Sequence, residues 1–83
     1  MRVKVLYRKS LKMSPNKMAS QVTHAVIGLG ITNLNCIIIV LGVSDTKFHN
    51  APFEHDCYVH EDLGFTEVEP NTKTALAYFE DRH

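Results

Sequence analysis

An excess of charge of either sign is the first thing this chain lacks. Nine basic and nine acidic residues cancel to a formal net charge of zero. No long-range basic field draws it to nucleic acid, so any such binding must come from a local patch. Long apolar runs are also missing. No stretch reaches the roughly 18 apolar residues needed to cross a bilayer, and the opening M-R-V-K-V-L-Y-R-K does not read as a secretory signal. Cysteine is scarce. Cys36 and Cys57 make no disulfide framework and read as reduced thiols in a cytoplasmic setting. Apolar side chains, at 45% of the sequence, are plentiful enough to exclude a disordered chain. At 83 residues the expectation is one domain, residues 1–83, with a single modest core. No internal repeat, low-complexity run or linker divides it.

The stretch S-P-N-K-M-A-S-Q-V-T-H-A-V-I-G, residues 14–28, organises the rest. Ser14 is a good N-cap and Pro15 sits at the first helical position, where its missing N–H costs nothing. Met18, Val22, Ala25, Val26 and Leu29 recur at helical spacing as an apolar stripe that needs a sheet beneath it. Lys17, Gln21 and His24, at i, i+4 and i+7, form a polar stripe beside it. A lysine in the first turn opposes the helix dipole. Lys17 therefore has no helix-stabilising reason for its position, which is the first hint of a site. Gly28 or Gly30 ends the helix, and Asn33 prolongs the turn.

Residues 2–8 alternate as a strand with Val3, Val5 and Tyr7 on one face. Residues 36–41, C-I-I-I-V-L, carry the β-branched run of an interior strand covered on both faces. Strand, helix and strand make a parallel βαβ unit. Ser44 caps a short helix that Pro52 stops. Residues 55–60 and 72–79 read as two further strands, separated by a loop rich in acids and turn formers. The tail E-D-R-H is expected to fray. The fold class is α/β: a four-stranded mixed sheet built on a βαβ unit, with one long helix and at most one short one. Two helices cannot cover four strands fully, which leads to the expectation of a homodimer.

In open α/β sheets, ligands bind beyond the carboxyl ends of the strands. If the third strand runs parallel to the first, that edge brings together Lys17, Asp62 and Thr66, with His24 further along the helix. An ammonium, a carboxylate and a hydroxyl around one cleft can position water and stabilise an oxyanion. A solvated helix face is the plain alternative for the polar stripe. The cluster His49, His55, Cys57 and His60 contains zinc-ligating types, but H-x5-H-x-C-x2-H matches no common structural site. The histidines read as solvent-exposed and Cys57 as a small core thiol.

K-M-S-P-N-K-M-A-S-Q-V-T-H-A resembles the first motif of the peptidyl-tRNA hydrolases of the second, archaeal and eukaryotic, type. Lys12, Met13, Lys17, Gln21, His24 and Ala25 match it. D-L-G-F-T-E-V-E-P-N-T-K-T resembles that family's second motif, through Asp62, Gly64, Thr66, Pro70, Thr72 and Thr74. The resemblance implies an enzyme that cleaves the ester joining a peptide to the tRNA 3′ ribose, with peptidyl-tRNA as substrate and no cofactor. It places catalytic roles on Lys17, Asp62, Thr66 and Thr74. Gln21 and His24 would line the site or contact RNA. Arg8, Lys9, Lys12 and Lys17 would form the basic patch, with Arg2 or Lys47 as additions. Two departures stand out. The family is longer, and its T-Q and P-G are T-E and P-N here, at Glu67 and Asn71. Asparagine tolerates positive φ. Glu67 replaces a neutral amide by a charge and is expected to weaken contact with phosphate. The second reading is a non-catalytic binding or regulatory module that retains the fold.

Overall fold

A computed structural model describes residues 1–32, 35–64 and 67–80. Strands β1 (Arg2–Arg8), β2 (Ile37–Val43), β3 (Cys57–Glu61) and β4 (Lys73–Phe79) form a four-stranded sheet in the order β2-β1-β4-β3. Helix α1 (Pro15–Leu29) links β1 to β2, and helix α2 (Asp45–Glu54) links β2 to β3. β1 pairs parallel with β2, and β4 pairs antiparallel with both β1 and β3. The sheet is therefore mixed, as expected. β1 and β3 run in the same direction on either side of β4. Their carboxyl ends, and the start of β4, lie at one end of the sheet. Tyr7 is opposite Ala75 and Glu61 opposite Lys73 there.

Alternation along the strands builds two cores. Val3, Val5, Ala75 and Ala77 face α1 and pack with Ala25, flanked by Val22, Val26 and Leu29. Three alanines at this contact let the helix lie close to the sheet. On the opposite face, Leu6, Val43, Leu76 and Tyr78 pack with Phe48 and Ala51 of α2. Phe48 and Leu76 are almost fully buried, and each such side chain contributes about 1.5–3 kcal/mol of transfer free energy. The α1 ends follow the sequence reading. Ser14 Oγ accepts the Lys17 N–H at 3.2 Å. Gly30 closes the other end at φ 98°, where its N–H donates to the Ile27 carbonyl at 2.9 Å.

Three expectations need correction. β2 is an edge strand, not an interior one: Ile37, Ile38, Val40 and Leu41 are 40–55% exposed. Among the described strands its neighbour is β1, and of its side chains Val43 joins the core under α2. Pro52 does not stop α2, which continues to Glu54. It falls in the last turn, so its ring costs the helix only one late hydrogen bond, and the next turn still closes with His55 N–H to the Ala51 carbonyl at 2.9 Å. Glu80 does not fray. Its carboxylate pairs with Arg2 at 2.8 Å and Lys4 at 2.9 Å, and its N–H donates to the Arg2 carbonyl. Asn33 lies outside the described residues, as do residues 81–83.

Candidate functional site

The start of α1 and the turn after β3 meet at the carboxyl end of the sheet. Lys17 Nζ donates to Asp62 Oδ1 at 2.8 Å, across 45 residues of sequence. Both side chains are only 8% exposed. An ammonium in the first turn of a helix that carries no acid there is balanced by a carboxylate from another element.

The turn is built to hold that carboxylate still. The Asp62 N–H donates to the Thr72 carbonyl at 2.9 Å, and the Asp62 carbonyl accepts the Asn71 N–H at 2.6 Å. Asp62 Oδ2 accepts the Gly64 N–H at 2.7 Å. Gly64 adopts φ 83°, which favours glycine. A Cβ there would lie 2.5 Å from the Pro70 nitrogen. Asn71 sits at φ 66°, the left-handed conformation that asparagine tolerates.

Behind the pair lies a buried polar relay. Thr74 Oγ1 donates to Gln21 Oε1 at 2.5 Å, and the Gln21 side chain helps to hold the Asp62 pKa down. Thr74 is fully buried and Gln21 is 1% exposed. Gln21 thus lines the site from inside rather than presenting itself to solvent. With its acceptor oxygen held by Thr74, the Gln21 amide is turned one way, fixed by the threonine. Burial pushes the Asp62 carboxyl up, but the Lys17 hydrogen bond, the Gly64 N–H, the Lys17 charge and Gln21 together hold it below the usual carboxylate value. Asp62 is therefore ionised at neutral pH. Such a carboxylate is a weak base and a strong hydrogen-bond acceptor.

Glu67 occupies a place that its sequence position did not announce. Its carboxylate accepts the Ser14 N–H at 2.8 Å and the Ser14 hydroxyl at 2.6 Å. These bonds hold its pKa below the usual value. The second-motif loop is thus tied to the α1 N-cap, and the negative charge the helix start lacks is supplied from outside.

His24 on α1 and His60 at the end of β3 stack with ring centroids 4.7 Å apart and planes 9° from parallel. His60 was not expected to belong to this site. Its pairing with Ala75 puts it on the α1 face, but only the tertiary structure reveals that His24 meets it. Burial, His24 and Lys17 hold His60 below the usual histidine pKa, against the opposing pull of Asp62.

The expected basic patch divides. Arg8 Nε donates to Asp45 Oδ1 at 3.0 Å and its Nη1 to the Lys73 carbonyl at 3.1 Å. Its guanidinium is thus committed to α2 and β4. Lys9 and Lys12 are exposed. Thr66 lies outside the described residues. The other histidines have aromatic neighbours of their own: His55 stacks on Tyr78 at 3.8 Å, and His49 meets the Phe48 ring edge-on. Among the described residues, no three His, Cys, Asp or Glu side chains are grouped to hold a metal ion, and no helix is long and apolar enough to cross a membrane. Cys36 and Cys57 are free thiols.

No protein-family model matches the chain, and no curated protein matches its sequence.

Proposed function

We propose that the chain is a peptidyl-tRNA hydrolase of the second type, acting in the cytoplasm on the ester between a peptide and the tRNA 3′ ribose. The observation that carries this reading is the Lys17–Asp62 ion pair at 2.8 Å, drawn from the two segments that resemble the family's motifs. A carboxylate has about four acceptor positions. Lys17 and Gly64 occupy two, which leaves room to orient a water at the ester carbonyl. The water oxygen bonds to the carbonyl carbon, and the oxygen of that carbonyl becomes anionic. Lys17 supplies positive charge beside it. The C–O bond to the ribose then breaks, and the proton released by the water ends on the departing 3′ oxygen. Because its pKa is depressed, Asp62 acts more by orienting the water than by removing its proton. Gln21 and Thr74 position the carboxylate. Thr66, which lies outside the described residues, is assigned a hydroxyl contact with water or substrate on the resemblance of the second motif alone.

Release of peptide from N-acetylaminoacyl-tRNA tests the reading. Wild-type protein is expected to cleave the ester, and Lys17→Ala and Asp62→Ala to lose at least a hundredfold in rate, the scale of one positioned charge or donor. Wild-type rates in either variant would refute it.

A second reading, a binding module without catalysis, draws on Glu67 and Arg8. The first places a negative charge at the helix start, and the second is paired with Asp45. Both reduce attraction for phosphate. A folded protein that neither binds nor cleaves peptidyl-tRNA would favour this alternative.

We further propose that two copies associate through β2. An edge strand with four half-exposed apolar side chains is a ready surface for pairing with another strand. Light scattering is expected to give a dimer for wild-type protein and a monomer for Ile38→Lys. A monomeric wild type at high concentration would exclude the assembly.

A further inference from the structure

We propose that the stacked His24–His60 pair is the platform on which the terminal base of the RNA lies while its ester is held at Lys17 and Asp62. The inference rests on the hydrolase reading and adds a recognition site to it. The two rings form a flat, nearly parallel unit, with centroids 4.7 Å apart and planes at 9°. Its inner ring, His60, is half-buried at the end of β3. Its outer ring, His24, is carried on an exposed position of α1. An aromatic face backed by a second ring does not collapse into the core. Stacking on such a face suits every nucleobase because each has a π surface.

Position favours a base over other flat groups. His24 follows Lys17 by seven residues on the same helix face, roughly 10 Å at 1.5 Å per residue. The terminal base and the ester hang from the same ribose. A base-binding face must therefore lie about one nucleoside away from the ester-cleaving pair, and His24 does. His60 feels the charges of both Lys17 and Asp62, so the platform and the ion pair are neighbours. The depressed basicity of His60 keeps its ring uncharged at pH 7, so the backing ring brings no positive charge of its own to the stack. The rings also suit recognition at a neutral protein, because stacking needs no net charge. It supplies affinity that a small basic patch does not.

The test uses an RNA hairpin ending in CCA, with an amide-linked amino acid at the 3′ position to prevent cleavage. The terminal adenine is replaced by 2-aminopurine in one version and removed in another. Fluorescence of 2-aminopurine falls when the base stacks. Quenching is expected with wild-type protein and with His24→Phe, which keeps a ring. Quenching is expected to vanish in His24→Ala, with roughly 5- to 150-fold weaker binding, the value of one stacked base. His24 is exposed, so its removal does not threaten the fold. His60→Phe, which preserves the backing ring, is expected to bind like wild type. The RNA without a terminal base should bind wild-type and His24→Ala protein alike. Equal binding of the intact and base-free RNAs to wild-type protein would overturn the platform. So would undiminished quenching in His24→Ala. Ester cleavage by wild-type protein, measured alongside, separates the two failures. Cleavage without any preference for the terminal base sinks the platform alone. Neither cleavage nor binding sinks the hydrolase reading with it.

Discussion

Replacing Asp62 by asparagine keeps the shape of the side chain and removes its charge. Lys17, whose side chain is only 8% exposed, is then left in the first turn of α1 without its anion and against the helix dipole. A hydrogen bond between charged groups is worth about 1.5–3 kcal/mol, and stranding one partner of a fully buried pair costs about 3–5 kcal/mol. Each side chain keeps 8% of its surface in contact with solvent, so a loss of about 2–3 kcal/mol is expected. A domain of this length holds about 4–12 kcal/mol in all. Each kcal/mol moves the melting temperature by about 4–8 °C, so Asp62→Asn should melt roughly 10–20 °C below wild type by circular dichroism. Adding Lys17→Met removes the stranded ammonium. The double variant is expected to regain most of the loss, since it no longer leaves a buried charge without its partner and the asparagine side chain keeps an oxygen to accept the Gly64 N–H. The pH dependence gives an independent check. The Asp62 carboxyl titrates below its unfolded value, so its contribution is complete above about pH 4 and is lost as pH falls through the folded pKa. Wild-type stability should fall across that acid window, and the contribution should be absent from Asp62→Asn. Single variants within about 0.5 kcal/mol of wild type, the ordinary scatter of surface substitutions, would refute this reasoning. So would a double variant showing the summed losses of both singles.

Two further substitutions probe the loop. Gly64→Ala forces a Cβ to within 2.5 Å of the Pro70 nitrogen at a φ of 83°. It is expected to cost about 1–3 kcal/mol and, by withdrawing an N–H from Asp62, to slow ester cleavage beyond what the stability loss explains; a melt and a rate measured together test this. Glu67→Gln removes the charge at the α1 N-cap while keeping an acceptor for Ser14. Tight RNA binding at low salt is expected to improve, with a slightly lower melting temperature because the helix start loses its counter-charge. Because Glu67 titrates below its usual value, the difference from wild type should persist through neutral pH and vanish only in acid. Equal RNA affinity for both proteins at neutral pH would contradict the role given to Glu67.

Local chemistry in the sequence made α1 legible. Ser14 and Pro15 mark its start, Gly30 its end, and two stripes of side chains its faces. The same holds for β1 and for the cap at Ser44. The position of β2 was not legible, because a run of Ile and Val looks alike at the centre of a sheet and at its edge. Its place depends on β4 crossing to pair with β1, a contact between the two ends of the chain. Glu80 escaped for a related reason, since its anchors are Arg2 and Lys4 at the other end of the chain. In the site, the meeting of Lys17 and Asp62 followed from strand direction alone. The relay of Thr74 through Gln21, the hold of Glu67 on Ser14 and the stack of His24 on His60 did not. Each joins residues more than thirty apart, and no spacing in the sequence signals such a pair.

We propose that the charges of Lys17 and Asp62 serve ester cleavage, and that an uncharged pair at the same two positions would serve the fold nearly as well. The most direct measurement is the single-turnover rate of peptide release from N-acetylaminoacyl-tRNA by the Lys17→Met, Asp62→Asn double variant. A protein that melts near wild type and releases peptide no faster than buffer is expected. A stable double variant that still cleaves at the wild-type rate would contradict it.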